Sequence, residues 1–371
     1  MVTLPLVTPF QTSVFTEYYR EALLVGVHTR DGAIGWGECA ATAEPIYSAE
    51  CIAGAVTMLR DELIPLVASL GEVSAEQANE LFRKVPGNPM AKAALETAIL
   101  DAQLREDQRS LADFLGAEST SVKAGVSVGL MPMDELLRTV DRYWNEEHYQ
   151  RIKLKIEPGR DVERVRAVRE KLGDEVPLQV DANGAYTMAD ADHLARLDEY
   201  DLLMIEQPFA EHDMAGHAAL ARRLRTRICL DEPITSPERA VQAIEQGAAQ
   251  IINIKPGRVG GYLEARKIHD VCRERGIPVW VGGMLETGIG RAANIALAAL
   301  PDFAELVGDL SASTRFFKND ITPPFLIENG SIPVPTAPGI GVDPTPDALT
   351  EAIPQYEWTA PSHTRSRVPI P

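Results

Sequence analysis

The chain has 371 residues and carries 36 Lys and Arg against 54 Asp and Glu, a formal net charge of −18. Such a negative balance disfavours phosphate backbones and anionic lipid as partners, so nucleic-acid and membrane binding are set aside. Cys39, Cys51, Cys229 and Cys272 form no CxxC pair, the first residues lack the basic start and unbroken apolar run of a signal peptide, and no apolar stretch of about 18 residues occurs; the expectation is a reduced, cytoplasmic protein with no zinc ribbon and no disulfide scaffold.

Residues 1–118 read as an α+β capping domain. Ala22-Leu23-Leu24-Val25-Gly26-Val27 and Gly35-Trp36-Gly37 predict strands, with Asp31-Gly32 as the tight turn between them. Helices follow from Ala53, from an N-cap at Ser74, and from Met90 through Arg105, each with apolar residues at helical spacing. Residues 119–318 change to short apolar strands alternating with amphipathic helices, the pattern of a parallel sheet built from βα units. Eight strands are predicted, beginning near Val126, Ile152, Leu178, Leu202, Ile228, Ile251, Pro278 and Leu306, and eight such units close into a barrel. Ser236-Pro237 supplies an N-cap and first-turn proline for one connecting helix, while Gly173, Gly247 and Gly276 supply stops. Residues 319–371 are rich in proline and glycine and are expected to return to the cap, ending in a loose tail at 360–371. No low-complexity linker divides cap from barrel, so the two are expected to pack as one unit.

The chemistry lies at the strand ends. In Ile152-Lys153-Leu154-Lys155-Ile156, period-two alternation puts both lysines on one face of a strand. An exposed edge strand would explain an isolated pair, but the next three strands close on acids: Asp181, Glu206 and Asp231, at equal steps of 25 residues from 181 to 206 and from 206 to 231. Three carboxylates converging at adjacent strand ends repel one another unless a cation sits among them. An all-oxygen donor set without His or Cys points to Mg²⁺, with Mn²⁺ or another divalent cation able to substitute. Lys255 closes Gln250-Ile251-Ile252-Asn253-Ile254-Lys255, four strands on from Lys155, which barrel geometry puts across the mouth. Two lysines facing a metal-held carboxylate suit removal of the proton on the neighbouring carbon, because the metal stabilises the enediolate and a desolvated lysine acts as base.

Other positions admit two readings each. Asn183 either assists a ligand or substrate or serves the turn Asn183-Gly184, and Arg258 either depresses the pKa of Lys255 or is an ordinary surface arginine. Ser127 on the first barrel strand either faces the pocket or bonds to backbone. Asp309 either lines the pocket or caps a helix. Glu232 points away from Asp231 along the strand and reads as supporting. The run Gly282-Gly283-Met284-Leu285-Glu286-Thr287-Gly288 lacks the lysine of a phosphate loop, so it reads as a βα loop that offers Met284 and Glu286 to a substrate. No histidine falls at a strand end, and none is assigned as base.

Taken together, Lys153-Leu154-Lys155, Asp181, Ile205-Glu206-Gln207-Pro208, Leu230-Asp231-Glu232-Pro233 and Asn253-Ile254-Lys255-Pro256 resemble the enolase superfamily, muconate-lactonizing subgroup. Gly257-Arg258-Val259-Gly260-Gly261 and the loop from Gly282 look like the branch that contains o-succinylbenzoate synthase and N-acylamino acid (N-succinylamino acid) racemase. The resemblance implies a modified (β/α)₇β TIM-type barrel with its α+β cap, Mg²⁺ on Asp181, Glu206 and Asp231, Lys155 and Lys255 as acid/base pair, and Lys153 polarising the substrate carboxylate. It implies dehydration of 2-succinyl-6-hydroxy-2,4-cyclohexadiene-1-carboxylate in menaquinone biosynthesis, racemisation of N-acylamino acids, or both. A muconate cycloisomerase or dipeptide epimerase would share lysines and ligands; Asp309-Leu310-Ser311 lacks the Asp-x-Asp pair of the epimerases. Expected partners are a small-molecule carboxylate and further copies of the same chain. The chain departs from the family pattern twice: Met1 lies almost on top of the segment 4–10, before which a cap strand is usual, and the cap loop Phe10-Gln11-Thr12-Ser13-Val14-Phe15 lacks a glycine after its serine.

Overall fold

The computed structural model describes residues 1–358, so the tail expected at 360–371 lies outside the described residues. The cap opens with three antiparallel strands, β1 (Val2–Gln11), β2 (Thr16–His28) and β3 (Ile34–Cys39), in the order β1-β2-β3. The segment 4–10 is thus part of a strand itself. It pairs with β2 from Leu4↔Arg20 through Phe10↔Glu17, with the register broken between Pro5 and Phe10. Pro5 and Pro9 lack an N–H, which suits this edge position.

Behind the sheet lies the helix Pro89–Glu106. Its Ala94 and Ala98 allow close approach, and β3 answers with Gly35 and Gly37: a Cβ on Gly37 would stand 2.0 Å from the Ala94 carbonyl, and one on Gly35 2.2 Å from that of Ala98. Any larger residue would push the sheet off the helix. The helix Ala75–Phe82 begins at the expected N-cap, where Ser74 Oγ accepts from Gln77 N at 3.3 Å and Gln77 Oε1 accepts from Ser74 N at 3.0 Å.

After β4 (Ser121–Lys123), seven parallel strands form the curled barrel sheet: β5 (Gly125–Val128), β6 (Arg151–Lys155), β7 (Leu178–Asp181), β8 (Ile205–Glu206), β9 (Ile228–Leu230), β10 (Ile251–Ile254) and β11 (Val279–Val281). They pair in sequence order. Helices cover the outer face, and the strands are buried along their length, as parallel strands covered on both sides must be. Gly173, Gly247 and Gly276 take positive φ at the helix stops read from the sequence.

Two strand predictions need correction. The fourth strand starts at Ile205, not near Leu202, although Leu203 N already donates to Leu178 O at 2.8 Å. The eighth, expected near Leu306, is absent. The 3₁₀ turn Phe303–Glu305 leads into an extended stretch joined to β11 by Asp309 N donating to Val281 O at 2.9 Å. Arg151 explains the gap. Its Nε and Nη2 donate to Val307 O at 3.1 and 2.9 Å, and its Nη1 to Val126 O at 3.2 Å, so a guanidinium takes up carbonyls that a strand-to-strand ladder would have used.

Beyond the barrel, β12 (Ser331–Pro333) pairs with β4, and the following loop reaches the cap: Leu111 N donates to Gly339 O at 2.7 Å, and Ile340 N to Asp101 Oδ1 at 2.7 Å. Among the described residues no helix is long and apolar enough to cross a membrane.

Candidate active site

β6 presents Arg151, Lys153 and Lys155 to the barrel interior and turns Ile152 and Leu154, both fully buried, to the helices. Burying a lysine is costly unless its charge is matched, and only 3% of Lys153 and 6% of Lys155 is exposed. The match comes from the next strands. Lys155 stands beside Asp181, and Asp181 beside Glu206, in the parallel register. Lys155 Nζ donates to Asp181 Oδ2 at 2.6 Å and to Asn183 Oδ1 at 2.7 Å. Lys153 Nζ reaches Asp309 Oδ2 at 2.6 Å, Glu206 Oε2 at 3.1 Å and Asp181 Oδ2 at 3.4 Å, with Trp280 beneath it at 4.8 Å from the ring centre.

Across the sheet, Lys255 follows β10 and donates to Asp231 Oδ2 at 2.7 Å, while Arg258 pairs with Asp231 Oδ1. Asp231 directly follows β9, and its N–H donates to Gln207 Oε1 at 3.0 Å. Lys153, Lys155 and Lys255 line one cavity roofed by the cap. Asp181, Glu206 and Asp231 are each at most 1% exposed and are compensated by three ammonium groups and one guanidinium. Among the described residues, no three His, Cys, Asp or Glu side chains are gathered closely enough to hold an ion as the carboxylates stand, each being held by lysines: Asp181 by Lys153 and Lys155, Glu206 by Lys153 and Asp231 by Lys255.

The electrostatics follow from burial and proximity. Burial opposes the charge on Lys153, but Asp309, Glu206 and Asp181 outweigh it and raise its pKa. Lys255 is likewise raised against burial, by Tyr47, Glu232 and the other carboxylates. Burial also opposes ionisation of Asp181, yet Lys155 and Lys153 hold its carboxyl well below the usual range. Glu206 is pushed up by burial and by the negative charge of Asp181. Its Oε1 accepts from Asn253 Nδ2 at 2.7 Å.

The remaining candidates divide. Ser127, Asn183, Met284, Glu286 and Asp309 line the cavity. Ser127 Oγ is buried without a partner, so the backbone-bonded reading does not hold. Asn183 bridges the site, taking Lys155 on Oδ1 and donating from Nδ2 to Glu232 Oε1 at 3.2 Å. Glu286 accepts from Met284 N at 2.8 Å and Asn294 Nδ2 at 3.0 Å. Asp309 caps no helix; it holds Arg151 and Lys153 together. Arg258 is 4% exposed and stands behind Lys255, bonded to Ile234 O, Asn253 O and Asp231, which rules out a surface role; nor does it depress the pKa of Lys255, which is raised.

Several contributors escaped the sequence reading. Arg151 and Asn253 share the alternation of Lys153 and Lys255, two residues earlier on their strands, and were legible from it. Tyr47, whose ring lies 4.9 Å from Lys255 Nζ, carries no such signal because it comes from a cap loop. The cap loop without its glycine is pinned instead by Ser13 Oγ donating to Ala182 O at 3.1 Å, and it sends Phe10, Thr12 and Phe15 into the roof.

Comparison with known proteins finds relatives along nearly the whole chain. The family described as mandelate racemase / muconate lactonizing enzyme, N-terminal domain, matches residues 1–116, and enolase C-terminal domain-like matches residues 135–348. An N-succinylamino acid racemase from Amycolatopsis sp is 56% identical over 358 residues, covering 96% of both chains. The o-succinylbenzoate synthase of Bacillus subtilis is 45% identical, covering 93% of this chain and 92% of its own. A crystal structure of an enolase superfamily member from Listeria innocua superposes with a TM-score of 0.90 at 43% identity, covering 94% of each chain.

Proposed function

The chain belongs to the mandelate racemase / muconate lactonizing enzyme family of the enolase superfamily, whose members generally use a divalent metal, and from that premise we propose that it removes the proton alpha to a carboxylate as an o-succinylbenzoate synthase, an N-acylamino acid racemase, or both. The observation that carries this reading is the pair of buried lysines, Lys155 and Lys255, lining one cavity from strand ends four places apart in the sheet.

The chemistry of the donor set suits a hard divalent cation such as Mg²⁺, because Asp181, Glu206 and Asp231 offer only carboxylate oxygen from adjacent strand ends, and these carboxylates would hold it on turning from the lysines that now pair with them. Held there, it would supply positive charge where the substrate carboxylate gathers electrons. The protein's own groups do the rest. Lys153 adds a fixed positive charge beside the same carboxylate. In racemisation Lys155 Nζ takes the α-proton on one face, and Lys255 returns a proton to the carbon on the other; for the opposite enantiomer the roles exchange. In the synthase reaction Lys155 takes the α-proton and then gives it to the departing hydroxyl, so that water leaves and the ring becomes aromatic. Asn183 holds the Lys155 amine toward the cavity, and Phe10, Phe15 and the cap loop shield the site from water.

Exchange of the α-proton in D₂O, followed by NMR on each enantiomer of an N-succinylamino acid, tests the reading together with turnover of the cyclohexadiene carboxylate. Lys155→Ala should abolish dehydration and lower exchange from one enantiomer by at least about a thousandfold, Lys255→Ala doing so for the other. Chelation should silence the wild type, and Mg²⁺ or Mn²⁺ should restore it. Near wild-type rates in the Lys155 variant would sink the assignment.

A further inference from the structure

β8 is the shortest strand of the barrel, two residues that end on Glu206, and the chain leaves it abruptly. Gln207 takes φ +41°, in the left-handed region that a residue with a Cβ enters only at a cost. It is 1% exposed and does not line the cavity. The turn has a definite effect on the hydrogen bonds. Gln207 N still follows the parallel register and donates to Cys229 O at 2.9 Å. The next rung of that ladder would run from Asp231 N to the main-chain carbonyl of Gln207. The turn swings this carbonyl to the opposite side, where it accepts from Gly184 N at 2.8 Å, three residues past Asp181. The side chain fills the vacated rung: Oε1 accepts from Asp231 N at 3.0 Å, and Nε2 is fixed by donating to Phe209 O at 2.9 Å. All four polar groups of Gln207 are therefore met, and they tie β8 to the chain on either side of it.

We propose that Gln207 is a positioning residue for the cation: by tying the backbones that carry Asp181, Glu206 and Asp231, it fixes the spacing of the three carboxylates and so the size of ion they accept. The carboxylates turn from their lysines by side-chain rotation, and the distances they then offer depend on where their main chains are held. Gln207 holds all three, Glu206 as its covalent neighbour, Asp231 through its N–H and the Asp181 segment through Gly184. A strained backbone persists only where its surroundings impose it, and here the four bonds do so. Magnesium demands short, near-ideal octahedral ligation, whereas calcium accepts longer and irregular ligation. Rigid spacing thus favours magnesium, and slack spacing moves the balance toward calcium.

This inference rests on the metal reading of the site and deepens it. The test is isothermal titration calorimetry of Mg²⁺ and of Ca²⁺ into the chelator-stripped full chain, as wild type, Gln207→Gly, Gln207→Met and Gln207→Glu. Glycine adopts the left-handed backbone freely, so that variant relieves the strain and still leaves the Asp231 N–H without its acceptor. Methionine keeps the volume and offers no carbonyl. In both, the Kd for Mg²⁺ is expected to rise at least about tenfold while that for Ca²⁺ moves by less than about threefold. Glutamate keeps an oxygen for the Asp231 N–H, and its ratio of the two constants should stay within about twofold of the wild type. General damage to the fold would weaken both ions alike, so the ratio separates positioning from damage. An unchanged ratio in the glycine and methionine variants overturns the proposal and leaves the metal reading standing, as does a glutamate variant as unselective as the glycine one. A wild type that binds neither ion overturns the metal reading itself, and this inference with it.

Discussion

Asp309 shows how much one side chain does in this site. Its two oxygens separate two cations, Arg151 at 2.8 Å and Lys153 at 2.6 Å. Burial opposes its ionisation, but Lys153 and Arg151 outweigh that and hold its carboxyl at about 2. A folded-state value below the usual 3.8 means that the contribution to stability is present above about pH 4 and is lost as the pH falls toward 2. Asp309→Asn should therefore cost about 2–3 kcal/mol in urea unfolding at pH 7, and the variant's acid-unfolding curve should be shallower between pH 4 and 2. A variant as stable as the wild type at pH 7 would contradict this account. From the sequence, Asp309 was only a residue after an expected strand, since its partners come from β6, more than 150 residues away. Asp181, Glu206, Asp231 and Lys255 were legible because each closes a short apolar run and the runs recur, Lys153 and Lys155 because alternation puts both on one strand face. Tyr47 was not, because no period relates the cap to the barrel mouth.

Among the elements, helix N-termini and strands behave differently. The helix Tyr262–Glu274 starts after Gly261, and its first N–H groups are met by the cap: Tyr262 N and Leu263 N donate to the Glu96 carboxylate at 3.2 and 2.9 Å. Gly261 has φ +130°, and a Cβ there would lie 2.6 Å from the Glu96 carboxyl, so only glycine lets the carboxylate in. Glu38 serves the helix Gly288–Ala298 in the same way, accepting from Thr287 N, Thr287 Oγ and Gly290 N. Burial pushes Glu96 up to about 7, the two backbone donors only partly opposing it. A carboxyl raised in the folded state binds more protons there, so its contribution is present below about pH 4.5 and is lost as the pH rises through about 7. Glu96→Gln should flatten the fall in melting temperature between pH 5 and 8, and an unchanged slope would rule this group out as its source. These caps were invisible in the sequence, which marked local ones such as Ser74 and Ser236 but not a carboxylate supplied from another domain. Strand number was misread for a related reason: apolar residues at Leu306 and Val307 resemble a strand, and only the fold reveals that Arg151 occupies their hydrogen-bonding partner.

On the scale of the whole molecule, the cap is joined to the barrel by buried carboxylates, by Ser13 on the rim of β7, and by the returning loop whose Gly339 and Ile340 bond to the cap helices. A cation that binds only the folded barrel should raise the melting temperature as its concentration increases, and a melting temperature indifferent to Mg²⁺ across the millimolar range would argue against the carboxylates as its holders. The barrel sheet is itself asymmetric. Its seven strands are laddered edge to edge, but the ring between β11 and β5 is closed by a guanidinium reaching over from β6. Such a closure acts like a clasp on a bracelet: it can release without breaking a ladder. In native-state hydrogen–deuterium exchange, amides along residues 306–309 and on the edges of β5 and β11 that face this stretch should take up deuterium before those of β7 to β9. Arg151→Met should widen that gap, so that the cylinder first loosens at the clasp while the laddered strands stay protected.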